Sequence, residues 1–312
     1  MQGRAERKPW AVILAGGEGT RLQELTRQIT GSPIPKQYCR IMGERSMLET
    51  TLIRTQRYTP VDNTLVIINS THLDIAREQL RPLPNRNILV QPCNRDTGPG
   101  LLFGLLALAH RDPAAIVGVF PSDHYVGDYR GFIDHVTQAT RVVEQMPGKI
   151  VILGIRPDHP EPGYGYIMPA GQLASLAERG PTFHVERFHE KPPVHVARNL
   201  LRQGGLWNSF VMVFQIRRML ELIRTVMPEE FDRVWAVTDD PVKLRDVYHD
   251  LKPWNLSRDF LERIPEHLVV QRVDDVHWSD WGTRDLIERT LKKLTQKAPW
   301  QARRPVITAV AS

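Results

Sequence analysis

Cysteine is scarce: the 312 residues hold two, Cys39 and Cys93. Two thiols so far apart exclude a disulfide framework and a zinc knuckle, and each is expected to be a buried or incidental thiol. Long apolar runs are missing too. The longest nearly apolar stretch, Leu101 to Ala109, falls short of the roughly 20 residues that cross a bilayer, so no membrane partner is expected. The opening residues MQGRAERKPW carry charge but no apolar segment ahead of a small-residue cleavage site. They do not read as a secretory signal, and a cytoplasmic location is the default expectation. No internal repeat and no low-complexity linker occurs. With 41% hydrophobic and 24% charged residues, the chain has the balance of a folded globular protein rather than a disordered or fibrous one.

Of the net charge of +6, the first ten residues carry +2 and residues 291–304 carry +5, leaving −1 for everything between. A near-neutral body with basic ends lacks the stripe of Lys and Arg that a nucleic acid would require, so no nucleic-acid partner is expected.

Short β-branched runs alternate with amphipathic stretches. Residues 11–15, 64–69, 87–90, 115–120 and 149–155 read as strands without polar alternation, as expected when both faces of a sheet are covered. Helical spacing recurs in 47–58, 73–80 and 132–143. This alternation predicts an α/β fold with a Rossmann-like, doubly wound, mostly parallel sheet. After about residue 156 the texture turns to Pro- and Gly-rich loops and short strands (163–169, 184–192, 209–215), then helical stretches at 217–226 and 229–237. A strand at 268–273 and a closing helix over 283–297 follow. The expected organisation is one domain over 9–297, an inserted region over 156–267 that could form a lid or a second wall beside the sheet, and a basic, flexible tail over 298–312.

The first strand runs into Ala15-Gly16-Gly17-Glu18-Gly19-Thr20-Arg21. Glycines at the carboxyl end of a parallel strand let backbone N–H groups approach phosphate oxygens. The pattern is neither GxxxxGK[ST] nor GxGxxG, so it supports neither a P-loop ATPase nor a dinucleotide dehydrogenase. Arg21 and, from the proline-stiffened Ser32-Pro33-Ile34-Pro35-Lys36-Gln37, Lys36 add two cations suited to a triphosphate. A tight strand-to-helix corner without a ligand is the bland alternative. Asp123, in FPSDH at the end of a strand, lies where open α/β sheets place ligands, and a carboxylate there can hold Mg²⁺.

ILAGGEGTRL followed by PKQ resembles the opening signature of the sugar-1-phosphate nucleotidylyltransferases, most of all the bacterial mannose-1-phosphate guanylyltransferases. QPCNRDTGPG (91–100), FPSDH (120–124), GYGYI (163–167), FHEKP (188–192), LWNS (206–209) and WSDWGT (278–283) continue the resemblance in order. The resemblance implies transfer of a nucleotidyl group from a nucleoside triphosphate, GTP, to a sugar 1-phosphate, mannose 1-phosphate, with Mg²⁺ as cofactor. It assigns catalysis to Arg21, Lys36, Asp123 and Asp280, and the metal to Asp123 and Asp280. It places nucleotide contacts on Ala15, Gly16, Gly17, Gly19, Thr20, Arg21, Lys36, Asn94, Arg95, Thr97 and Ser122, and sugar-phosphate contacts on Gly165, Glu190, Lys191 and Asn208. His124 and His277 are expected in packing or supporting roles, because no third His or Cys has zinc-ligand spacing.

The chain departs from the family pattern in three places. Asp96-Thr97-Gly98-Pro99-Gly100 stands where the guanylyltransferases read Asn-Thr-Ala-Pro-Ala. Gln23-Glu24-Leu25-Thr26 replaces Trp-Pro-Leu-Ser, and Phe210 replaces the glycine of Asn-Ser-Gly. Another base or sugar phosphate is therefore an alternative for the same reaction, and a non-catalytic nucleotide-sugar-binding subunit is a second. About 20 residues follow the closing helix, so no C-terminal isomerase or β-helix domain is expected. A homo-oligomer is left open.

Overall fold

The computed structural model describes residues 8–173, 180–298 and 300. The basic tail expected over 298–312 lies, apart from 298 and 300, outside the described residues. The elements are β1 (Trp10–Ala15), α1 (Gln23–Thr30), α2 (Met47–Thr55), β2 (Thr64–Asn69), α3 (Leu73–Gln79), β3 (Ile88–Gln91) and α4 (Thr97–Arg111). They continue with β4 (Ile116–Pro121), β5 (Tyr125–Val126), α5 (Tyr129–Gln145), β6 (Ile150–Ile155), β7 (Tyr166–Gln172) and β8 (Thr182–His189). Then follow α6 (Val194–Arg202), β9 (Leu206–Gln215), α7 (Ile216–Val226), α8 (Pro228–Trp235) and α9 (Pro241–Asp250). The last are β10 (Leu268–Val273), β11 (Trp278–Ser279) and α10 (Arg284–Lys293).

Among the described residues, nine strands form one sheet in the order β3-β2-β1-β4-β9-β6-β10-β8-β7. The pairings β1–β2, β2–β3, β1–β4 and β6–β10 are parallel, whereas β9 and β8 pair antiparallel with their neighbours. Seven of the nine strands therefore point the same way, giving the mostly parallel α/β architecture expected from the strand–helix alternation. Strand β9, from within the stretch 156–267, runs between β4 and β6 in the middle of this sheet.

Two apolar layers sandwich the sheet. On one side α2, α3 and α5 bury Leu48, Leu52, Ala76, Phe132, Val136 and Val143 against it. On the other, α4 lies under α7, α8 and α9. Helix α4 carries Gly98, Gly100 and Gly104, each costing roughly 1 kcal/mol of helix propensity. Burial offsets that cost: Leu101, Leu102, Leu105, Leu106 and Leu108 are fully enclosed, and the Asp96 carboxylate caps the first turn. Local chemistry starts the other helices. Ser46 and Glu49 form a reciprocal capping box on α2, Asp128 caps α5 and Thr283 caps α10. A third cluster packs α10 and Trp281 against α1 and Ile41, so the end of the described chain closes over its beginning.

Because Leu105 is enclosed between the sheet and α7–α8, Leu105→Ala should lower the unfolding free energy by roughly 2–5 kcal/mol, read from urea midpoints. A loss below about 1 kcal/mol would place this side chain outside the core.

Candidate active site

The carboxyl ends of β1, β2 and β4 open into a cleft of about 570 Å³. The strand order 3-2-1-4 reverses at β1, which is where doubly wound sheets leave a crevice. The loop after β1 is held from behind. Gln37 Nε2 donates to the carbonyls of Ala15 (3.0 Å) and Gly17 (2.7 Å), and the Tyr38 hydroxyl donates to Ala15 (3.0 Å). In a planar trans peptide the next N–H points the opposite way, so the N–H groups of Gly16 and Glu18 turn away from Gln37. Gly16, Gly17 and Arg21 line the cleft, and Arg21 is exposed. Gly19 has φ +61, and a Cβ there would stand 2.9 Å from the backbone nitrogen of Lys36. Thr20 begins a short 3-10 turn. Ala15, Gly19 and Thr20 thus shape the loop rather than line the cleft.

Asp123 and Asp280, 157 positions apart, are brought to one cleft by the small antiparallel pairing of β5 with β11, in which Trp278 faces Val126 and Ser279 faces Tyr125. Lys36 is buried behind them. Its ammonium lies 3.1 Å from Asp123 Oδ2 and donates to the carbonyls of Asp280 (2.5 Å) and Trp281 (3.1 Å). Burial alone would push the Asp123 carboxyl up, but the Lys36 ammonium beside it holds it below the usual carboxylate range. Asp280 Oδ1 accepts from Gly282 N at 2.7 Å. His124 packs edge-on against Trp278, ring centroids 5.3 Å apart. Burial pushes its imidazole down to about 4, against the pull of Asp123 and Asp280, so it is neutral at neutral pH. Ser122 is buried and lines the cleft.

Across the cleft stand Gly165, Glu190, Lys191 and Asn208. A Cβ on Gly165 would come within 2.7 Å of Glu190 Oε2, so the missing side chain lets this carboxylate approach the backbone. The Lys191 ammonium sits 3.1 Å from Glu190 Oε1, and Asn208 Nδ2 donates to Ser257 Oγ at 3.4 Å. Four non-glycine residues of this region, Asp96, Lys191, Phe210 and Trp281, have positive φ. Such conformations cost on the order of 1–3 kcal/mol each and concentrate at functional sites.

Of the 94–99 stretch, Asn94, Asp96 and Thr97 line the cleft. Arg95 does not: its guanidinium turns outward to the carbonyls of Tyr248 and His249 at the end of α9. One wall comes from residues that the sequence reading left unassigned. Pro253, Asn255 and Ser257 line the cleft. Asn255 Nδ2 donates to Asp96 Oδ1 (3.2 Å), and Leu256 N to Thr97 Oγ1 (3.1 Å). Gln91 was missed as well. It is 3% exposed and lines the cleft, wedged between Gly16 and Gly100, and its Oε1 has no hydrogen-bond partner among the described residues. Its place at the end of β3 was the available signal.

Comparison with known proteins gives a consistent answer. A family model described as nucleotidyl transferase matches residues 10–297. Mannose-1-phosphate guanylyltransferase 2 of Escherichia coli O157:H7 is 31% identical over 91% of this chain and 60% of its own length. The xanthan biosynthesis protein XanB of Xanthomonas campestris pv. campestris (strain B100) is 37% identical over 87% of this chain and 57% of its own length. The chain thus spans about 60% of the length of the curated relatives it matches. A crystal structure from Thermus thermophilus, described as a mannose-1-phosphate geranyltransferase, superposes with a TM-score of 0.79 at 29% identity, covering 91% of this chain and 79% of that one. Among the described residues no helix is long and apolar enough to cross a membrane.

The half-buried His124 makes stability depend on pH. An unfolded histidine titrates near 6.5 and the folded one near 4, so between them the unfolded chain binds a proton that the folded chain refuses. This contribution is intact above about pH 6.5 and is lost as pH falls toward 4. Thermal midpoints of the wild type should therefore drop more steeply from pH 7 to 4.5 than those of His124→Gln. Parallel curves would contradict the burial argument.

Proposed function

The chain belongs to the nucleotidyl transferase family, and from that premise we propose that it transfers a nucleotidyl group from GTP to mannose 1-phosphate, releasing pyrophosphate. The observation that carries this reading is the meeting of Asp123 and Asp280 in one cleft, between the glycine loop and the Glu190–Asn208 pocket. A nucleoside triphosphate fits the side with turned-out N–H groups and Arg21, and a sugar phosphate fits the side with a carboxylate, an ammonium and a carboxamide.

The acceptor phosphate is already anionic, so its oxygen attacks the α-phosphorus in line without a general base and without a covalent enzyme intermediate. The residues position and neutralise. Gly16 and Gly17 let the triphosphate approach the backbone, Arg21 draws charge toward the departing pyrophosphate, and Lys191 holds the acceptor phosphate while Glu190 and Asn208 bind sugar hydroxyls. Lys36 keeps Asp123 ionised and ties it to the Asp280 backbone. The donor set suits Mg²⁺: two carboxylates in one cleft leave the rest of its shell to water and phosphate oxygens. Asp123 and Asp280 would hold the ion, which supplies charge neutralisation at the phosphates when bound. Acceptor groups at the cleft, Gln91 Oε1 and the Asp96 carboxylate, match the N–H donors on the edge of guanine. The mannose-1-phosphate guanylyltransferases among the relatives support both substrates.

A pyrophosphate-release panel of four nucleoside triphosphates against several sugar 1-phosphates, with and without Mg²⁺, is expected to single out GTP with mannose 1-phosphate. Silence everywhere would favour a binding subunit. Asp123→Ala should abolish turnover while circular dichroism stays unchanged; near-normal turnover in that folded variant would remove Asp123 from the chemistry.

A further inference from the structure

Phe210 lies in β9 with φ +62, a conformation in which a Cβ crowds the backbone and which glycine adopts freely. A bulky residue stays there only when its surroundings hold it. They do: Phe210 N donates to Asn208 Oδ1 (2.9 Å), Ser209 Oγ donates to Leu153 O (2.6 Å), and Val211 N donates to Ser209 Oγ (3.1 Å). The β6–β9 register also shifts here, from Ile152 facing Met212 to Gly154 facing Asn208. Two residues of advance on β6 thus correspond to four on β9. Such a bulge re-aims side chains, and Phe210 is directed to the cleft, which it lines together with Leu14, Ile67 and Asn208. Glycine would satisfy the backbone without strain, so the benzyl group is what the bulge holds in place.

We propose that Phe210 is a specificity-determining residue for the acceptor: it forms the apolar wall against which the C–H face of the sugar ring packs, and it bars a ring bearing a bulky substituent such as an acetamido group. The inference rests on the sugar-1-phosphate reading above and deepens it. A sugar has a polar rim and apolar faces. Glu190 and Asn208 serve the rim, whereas recognition of a face needs flat apolar surface beside them. Phe210 supplies it, and its own N–H, bonded to Asn208 Oδ1, ties this wall to a residue that serves the rim.

The test compares the full chain with Phe210→Gly and Phe210→Asn, both of which accept positive φ. The readout is kcat/KM for a 2-acetamido-hexose 1-phosphate divided by kcat/KM for the unsubstituted hexose 1-phosphate, with saturating nucleoside triphosphate and Mg²⁺. Circular dichroism and the KM of the nucleotide are measured in parallel. The ratio should rise at least tenfold in each folded variant, through a higher KM for the plain hexose and gained turnover of the substituted one, while the nucleotide KM stays within twofold. A ratio within twofold of wild type overturns the proposal. So does a change confined to the nucleotide KM, which would seat Phe210 against the nucleoside, or failure of both variants to fold, which would make the residue structural. Wild type silent with every sugar phosphate defeats the functional reading itself, and this inference falls with it.

Discussion

One buried ammonium joins the parts of this cleft. Lys36 reaches Asp123, just past the end of β4, and the carbonyls of Asp280 and Trp281, more than 240 positions away. An ammonium with 5% of its residue exposed costs several kcal/mol unless charge and hydrogen bonds compensate it. A carboxylate and two carbonyls do so here, and they are the groups that must stay fixed if two acids are to share a cleft. The next residues of the same segment, Gln37 and Tyr38, hold the glycine loop by its carbonyls. A short turn stiffened by Pro33 and Pro35 thus sets both the loop that offers N–H groups and the acids that face it.

The sequence displays this machinery unevenly. Strands β1, β2, β4, β6 and β10 were legible because unbroken β-branched runs follow from coverage on both faces. Helix α4 left no periodic trace, since a helix enclosed by a sheet on one side and α7–α8 on the other needs no polar stripe. Its glycines and leucines read only as an apolar stretch. Helix α9 and the 253–257 wall were hidden for another reason: the wall bonds Asp96, Thr97 and Gly98 and the end of α9 bonds Arg95, contacts of more than 150 positions that no local pattern encodes.

Within the cleft, the glycine loop, Arg21, the two aspartates and the Glu190–Asn208 group come together from their motifs. Arg95 shows the boundary of that reasoning. The motif marked the segment, but the guanidinium satisfies the carbonyls at the end of α9, orphaned like those of any helix C-terminus. Lys36 shows another: a cation marked for phosphate is, in this state, the brace between two walls. Strained backbone at Asp96, Lys191, Phe210 and Trp281 is invisible to composition, because only the surrounding bonds reveal that such conformations are held.

The pairing of β5 with β11 carries a temporal consequence. A ribosome delivers the glycine loop and Asp123 early, yet Asp280 and the two carbonyls that receive Lys36 emerge only after some 280 residues have been joined. Until then the nascent polypeptide holds Lys36 with Asp123 as its one early partner, and a cleft with half its acidic pair. Assembly of the cleft therefore waits for the segment that carries β11, and a product interrupted before it holds the glycine loop and Asp123 without the second aspartate.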